Sequence, residues 1–185
     1  YRAISGADIA LVNGGGIRKQ IEAGDITLDD IYSVHPFGNT MCVIRVTGQQ
    51  VLDALEWGAR AVPSENGGFL QVSGLTYEIH TGIASSAEKD ENGMFTRVSG
   101  EYRVKNVMVG GQPLELDKTY TLASHNYMLL GHGDGYTMFD GCEVLGEDMM
   151  VDNQVLITYI TTTLGGVVGE QYANPYGDGR IVAVE

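Results

Sequence analysis

The run Ile9-Ala10-Leu11-Val12 passes directly into Asn13-Gly14-Gly15-Gly16, and this junction constrains what the chain can build. Four apolar residues bounded by a turn signal read as a buried strand. The three glycines behind it give the backbone room to approach a neighbour or a ligand closely, with N–H groups able to face that ligand. The pattern recurs. Tyr120 to Ser124 reads as a strand ahead of Gly131-His132-Gly133-Asp134-Gly135, and Gly67-Gly68-Phe69-Leu70-Gln71-Val72-Ser73-Gly74 is a third glycine loop. Glycine supplies 26 of the 185 residues, about twice its ordinary share of ~7%. It clusters in short loops without a period, which excludes collagen and linker architectures.

The remaining punctuation predicts a mixed fold. Thr27, with Asp30 three positions later, marks a short helix that must end ahead of Pro36. Met41 to Thr47 reads as a strand, and Thr47 or Gly48 opens a helix. Its Val51, Leu52, Leu55, Ala59 and Val62 share a stripe up to Pro63. Leu75, Tyr77 and Ile79 alternate with polar residues as a half-buried strand, and residues 82–94 read as an exposed loop within the domain. Val104 to Val109, Gly110-Gly111 and Pro113-Leu114 suggest a hairpin. A last helix is expected from an Asp152 cap through Val155, Leu156, Tyr159, Ile160 and Leu164 to Gly165-Gly166, weakened by the threonines near its end. Arg180 to Val184 closes as a strand. The expectation is one α/β (α+β) domain over residues 1–185, with a single mixed, mostly antiparallel sheet and covering helices.

Several function classes are disfavoured. The formal net charge of −13 repels phosphate backbones, so duplex nucleic acid is not an expected partner. No apolar stretch approaches the ~20 residues of a membrane span. The chain opens at Tyr1 rather than Met and reads as an internal piece of a longer protein. Cys42 and Cys142 sit in apolar surroundings, as two buried thiols or as a disulfide in an exported protein. His-Glu-x-x-His, Gly-x-Ser-x-Gly and Cys-x-x-Cys are absent, and the four histidines have no metal-ligand spacing. His125, His132 and Asp134 are the one set that could hold a metal, although hydrogen-bonded histidines are commoner. No catalytic or metal-ligating residue is assigned, and no cofactor is expected in this domain.

Candidate binding residues lie in the loops. Arg18, behind the Asn13 glycine loop, offers a planar cationic fork to a carboxylate or phosphate, or is a surface arginine beside a glycine turn. The loop matches neither a P-loop nor a dinucleotide fingerprint. Phe37, between Pro36 and Gly38, is a core ring or a ligand platform. Tyr127 beside the Asp134 loop poses the same choice.

Taken in order, Asn13-Gly-Gly-Gly-Ile-Arg18, Pro36-Phe37-Gly38-Asn39-Thr40, Gly68 to Gly74, and Asn126-Tyr127 with Gly133-Asp134-Gly135-Tyr136 resemble the C-terminal domain of the 5′-nucleotidase family. That family includes UDP-sugar hydrolases and 2′,3′-cyclic-nucleotide phosphodiesterases. The resemblance runs through the closing Gly179-Arg180-Ile181. It implies that an N-terminal metallophosphatase domain of the same chain carries two divalent metal ions and the catalytic His–Asp pair, while this domain binds the substrate. By that likeness Asn13, Gly15 and Arg18 contact the nucleotide, Phe37 and Tyr127 sandwich its base, and Asp134 meets the ribose hydroxyls. The resemblance also implies an extracellular, periplasmic or cell-surface protein. A non-catalytic nucleoside- or small-ligand-binding module is the alternative. Asn39 and His132 stand where the family more often has glycine.

Overall fold

The computed structural model describes residues 1–174 and 177–185. A short helix, α1 (Arg2–Ser5), leads into β1 (Ile9–Asn13), the strand expected from the first apolar run. After α2 (Leu28–Val34), β2 (Met41–Thr47) and α3 (Gly48–Ala59) follow in immediate succession. Next come β3 (Leu70–Ser73), β4 (Leu75–His80), β5 (Ala87–Lys89), β6 (Phe95–Val98), β7 (Val104–Val109) and β8 (Gln112–Pro113). The chain continues through β9 (Thr119–His125), α4 (Asn126–Leu129), β10 (Glu143–Gly146), α5 (Asp152–Thr158) and β11 (Ile181–Val184).

The pairing is mixed and mostly antiparallel, as expected. The strands do not form the single sheet expected: they divide between a five-stranded sheet of order β10-β2-β9-β1-β3, a four-stranded sheet of order β11-β4-β7-β8 and a β5-β6 ribbon, because β3 pairs with β1 while β4, which follows it directly, pairs with β7 and β11. The ribbon puts a short strand inside the segment expected to be all loop, and Glu88 and Arg97 pair across it at 2.7 Å. One pairing decides where function can sit. β1 runs parallel to β9, with Ile9 opposite Leu122 and Ala10 opposite Ala123, so both strands end at the same edge of the sheet. Their antiparallel neighbours start there: Met41 lies opposite His125 and Leu70 opposite Asn13. Four loops therefore meet at one edge.

The helices that brace this edge are locally encoded. Thr27 and Asp30 form a reciprocal capping box on α2, and Thr47 and Gln50 do the same on α3. Val51, Leu55 and Trp57 of α3 are buried against the sheets together with Ile9, Leu11, Ile44, Leu70 and Leu122. The helix stops at Ala59, earlier than Pro63 would require. Val62 follows in a turn closed by its N–H on the Ala59 carbonyl at 3.1 Å, and it still packs on the core.

The last helix departs from expectation in two ways. Its N-cap is Val151, and Asp152 is the first helical residue, buried, with its N–H donated to the Asn39 carbonyl at 2.8 Å. Beyond Thr158 the helix widens into a π turn over Tyr159–Thr163. There Thr161 Oγ1 donates to the Ile157 carbonyl at 2.8 Å and Thr162 Oγ1 to the Thr158 carbonyl at 2.6 Å, competing with the backbone ladder. Both cysteines are free, which overturns the disulfide option. Cys42 is fully buried, and that burial pushes its thiol up to about 12. Cys142 is only partly buried and accepts a hydrogen bond from Gln50 Nε2 at 3.2 Å. Among the described residues no helix is long and apolar enough to cross a membrane.

Candidate functional site

The four loops enclose a cleft of about 390 Å³. All six residues singled out from the sequence line it: Asn13, Gly15, Arg18, Phe37, Tyr127 and Asp134. Gly16, Asn39 and Gly67 complete the wall.

Asn13 is the last residue of β1 and is almost fully buried. Its Nδ2 donates to Asp134 Oδ2 at 2.7 Å, while its Oδ1 lies 3.0 Å from His125 Nε2. Tyr127 OH donates to the other carboxylate oxygen, Asp134 Oδ1, at 3.2 Å. Trp57 Nε1 holds the Asp134 carbonyl at 2.9 Å. These contacts pin a backbone in an unusual conformation, because both His132 (φ 55°) and Asp134 (φ 54°) are left-handed. Such non-glycine positions persist only where the surroundings over-determine them. The carboxylate keeps unused lone pairs, since an ionised carboxylate offers about four acceptor sites and the described residues fill two of them.

The glycines of the Asn13 loop serve a purpose other than the expected one. Gly14 N–H donates to the Phe69 carbonyl at 2.7 Å and Gly15 N–H to the Gly67 carbonyl at 2.8 Å. Those N–H groups are taken by the neighbouring loop and do not face the cleft. A Cβ on Gly15 would sit 3.1 Å from the Gly67 backbone, so a side chain there would press the two loops apart by a few tenths of an ångström. Arg18 is anchored behind them, its Nη1 donating to the Gly15 carbonyl at 3.0 Å, with the guanidinium 5.8 Å from the centre of the Phe37 ring.

The two rings are not core residues. Phe37 is 59% exposed and Tyr127 42% exposed. Tyr127 lies against Gly133, where a Cβ would fall 2.3 Å from the ring. Burial, and then the charge of Asp134, raise the Tyr127 phenol and keep it a donor.

The conceivable metal set dissolves on inspection. His125 turns to Asn13, His132 pairs with Asp140, and Asp134 is held by Asn13 and Tyr127. Among the described residues no three His, Cys, Asp or Glu side chains converge on a point that could hold a metal ion. Sequence reasoning missed the supports behind the cleft. His125 sits on a neighbouring strand end, Trp57 comes from α3, and the Arg60 guanidinium lies 3.7 Å over the Trp57 ring. His125 is buried, which pushes it down to about 4. None of the three has a local motif; only the strand pairing brings them here. The site thus offers a cationic fork, an acceptor-rich carboxylate and two exposed aromatic faces, which suits an anionic ligand with hydroxyls and a planar ring.

A family model described as 5′-nucleotidase, C-terminal domain, matches residues 1–141. The trifunctional nucleotide phosphoesterase protein YfkN of Bacillus subtilis is 36% identical over 97% of this chain, which spans 11% of that relative. A 5′-nucleotidase of Vibrio cholerae is 33% identical over 83% of this chain and 24% of its own length. The chain therefore spans a quarter or less of these curated relatives. Among solved structures, a 5′-nucleotidase precursor from Thermus thermophilus superposes with a TM-score of 0.79 at 32% identity, covering 99% of this chain and 32% of that one. The NAD nucleotidase of Haemophilus influenzae shares the fold, with a TM-score of 0.67 at 23% identity over 96% of this chain and 30% of that one.

Proposed function

The chain belongs to the C-terminal domain family of the 5′-nucleotidases, and from that premise we propose that its cleft binds the nucleoside part of a nucleotide. Phe37 and Tyr127 hold the base between their rings. Asp134 accepts hydrogen bonds from the ribose hydroxyls. Asn13 and Arg18 contact the nucleotide, Arg18 as the anionic group's anchor, and Gly15 keeps the wall open. Ester hydrolysis belongs to a two-metal N-terminal domain of the same protein. The described donors of this domain do not fit a metal ion, so no step of the reaction is assigned to them. By itself the domain binds nucleosides without hydrolysing nucleotides. The full protein works outside the cytoplasm, in the periplasm, at the cell surface or in the medium.

One observation carries the reading: two large rings stand exposed on the same cleft as a carboxylate and a guanidinium. Phe37, in the loop between Pro36 and Gly38, and Tyr127, in the first turn of α4, each leave a large part of the ring outside the core. Stacking a base on an aromatic face contributes about 1–3 kcal/mol and tolerates different bases. Two such faces supply a large part of the roughly −8.2 kcal/mol of a micromolar complex.

The test is calorimetric titration of adenosine into the wild-type chain, Phe37→Ala and Tyr127→Ala. Each substitution should weaken binding about fivefold or more while moving the melting temperature little. Unchanged affinity in both variants would remove the clamp. Binding with no phosphoester turnover by the full-length protein would favour a non-catalytic module.

A further inference from the structure

Behind the cleft, the buried His125 ring faces Asn13 through Nε2. We infer that His125 is a positioning residue: its Nε2–H locks the Asn13 carboxamide with the amino group turned toward Asp134 and the cleft. The inference deepens the proposed function and rests on it.

The direction of every hydrogen bond follows from chemistry. An ionised carboxylate has no proton to give, so the group facing Asp134 Oδ2 at 2.7 Å must be the Asn13 amino group. The Asn13 carbonyl oxygen then faces His125 Nε2 at 3.0 Å. A carbonyl oxygen only accepts, so Nε2 must carry the hydrogen. The burial that holds His125 neutral leaves Nδ1 without one. Nδ1 is buried and has no partner among the described residues. A bare nitrogen tolerates that position better than an orphaned N–H would, so the surroundings favour the same tautomer. The ring cannot easily turn away. Tyr1 packs edge-on at 6.3 Å and Tyr127 at 5.9 Å, tilted by 48°.

The result is one polarity through the site, from His125 to Asn13 to Asp134, with Tyr127 donating from the other side. It leaves Asn13 with a second N–H and Asp134 with free lone pairs at a cleft both residues line. A flipped carboxamide would set an oxygen against the Asp134 carboxylate and withdraw that donor. The ligand served by the observed polarity carries an acceptor beside hydroxyl donors, as a nucleoside does. His125 touches no ligand in this scheme.

Three readouts test it in the same chain. Long-range 1H–15N correlation spectra of the wild-type protein near neutral pH should show His125 as the neutral Nε2–H tautomer. An Nδ1–H tautomer or an imidazolium there would overturn the assignment without any variant. Adenosine titration should show His125→Phe binding about two- to tenfold more weakly, the effect of one lost neutral hydrogen bond. His125→Gln, whose amide N–H reaches toward the Nε2 position, should restore most of it. No loss in His125→Phe, or equal loss in both variants, would overturn the positioning role. In the full-length protein, His125→Phe should raise KM for a nucleotide more than it lowers kcat, and the reverse would count against it. Should the wild-type chain bind no nucleoside at all while the tautomer is as stated, the functional reading has failed and the hydrogen-bond polarity stands.

Discussion

Gly133→Ala isolates the role of the Tyr127 ring without touching the ring itself. Gly133 does not use a left-handed backbone, so alanine brings no conformational penalty there. What it brings is a methyl group 2.3–2.4 Å from three carbons of the Tyr127 ring. Ordinary contact begins near 3.4 Å, so the ring must retreat by about 1 Å. It has somewhere to go, being 42% exposed. Retreat sacrifices its hydrogen bond to Asp134, made in a partly exposed setting and worth about 0.5–1.5 kcal/mol. In a chain of this size 1 kcal/mol corresponds to roughly 2–4 °C, so the melting temperature should fall by only a few degrees. The binding loss should be larger. Displacing one stacking face forfeits about 1–3 kcal/mol, or about fivefold to 150-fold in the dissociation constant for adenosine. A double-variant cycle sharpens the reading: in a Tyr127→Ala background the three ring carbons nearest the new methyl are gone, so Gly133→Ala should then cost much less in both assays. Wild-type affinity in the single variant, or full additivity in the double, would refute the claim that Gly133 acts through the ring.

Two further outcomes follow from the same geometry. Arg18→Lys removes the fork that spans the Gly15 carbonyl and the cleft, and an ammonium does not replace it; nucleotide kcat/KM in the full-length protein should fall about ten- to a hundredfold with metal content unchanged, whereas an unchanged value would make Arg18 a surface residue. His125 titrates near 4 in the fold against about 6.5 unfolded, so its stabilising contribution is complete above pH 6.5 and is lost as pH falls toward 4; urea midpoints should show His125→Gln lacking a decline in that window amounting to ~3 kcal/mol in the wild type, and parallel pH profiles would contradict the burial argument.

What the sequence disclosed and what it withheld divide along a physical line. Local signals were legible wherever a side chain bonds its own neighbours. Thr27 with Asp30 capped α2 as expected, and β1 ran into its glycine loop. The helix after β2 was foreseen, but Gln50, which completes its capping box, was not used as a signal. Non-local choices were hidden. Nothing in Ile9–Val12 says that β1 lies parallel to a strand more than one hundred residues away, or that the strands separate into more than one sheet. Asp152 was read as a cap because aspartate favours caps, yet Asn39 and the Phe37 loop draw it inward. The six cleft residues were assigned through the family resemblance that the loops carry together, since each loop alone left its alternatives open. Their supports, His125 and Trp57, belong to strand-end and helix positions that carry no signal of their own.

The glycines show why the two kinds of information must be combined. From the sequence, Gly14 and Gly15 suggested backbone N–H groups aimed at a ligand; in the fold those N–H groups tie their loop to Phe69 and Gly67. The tie is what makes a cleft. With the Asn13 and Gly67 loops fused at backbone distance, Asn13 is carried to Asp134, and Arg18 is set out beside Phe37. Gly133 does the corresponding work on the opposite wall, where only hydrogen leaves space for Tyr127. Gly14, Gly15 and Gly133 therefore act behind the cleft wall: they let the elements approach each other closely enough for the side chains between them to line one cleft. A side chain placed at Gly15 should accordingly separate the loops and weaken binding even though the N–H it carries never faces the cleft.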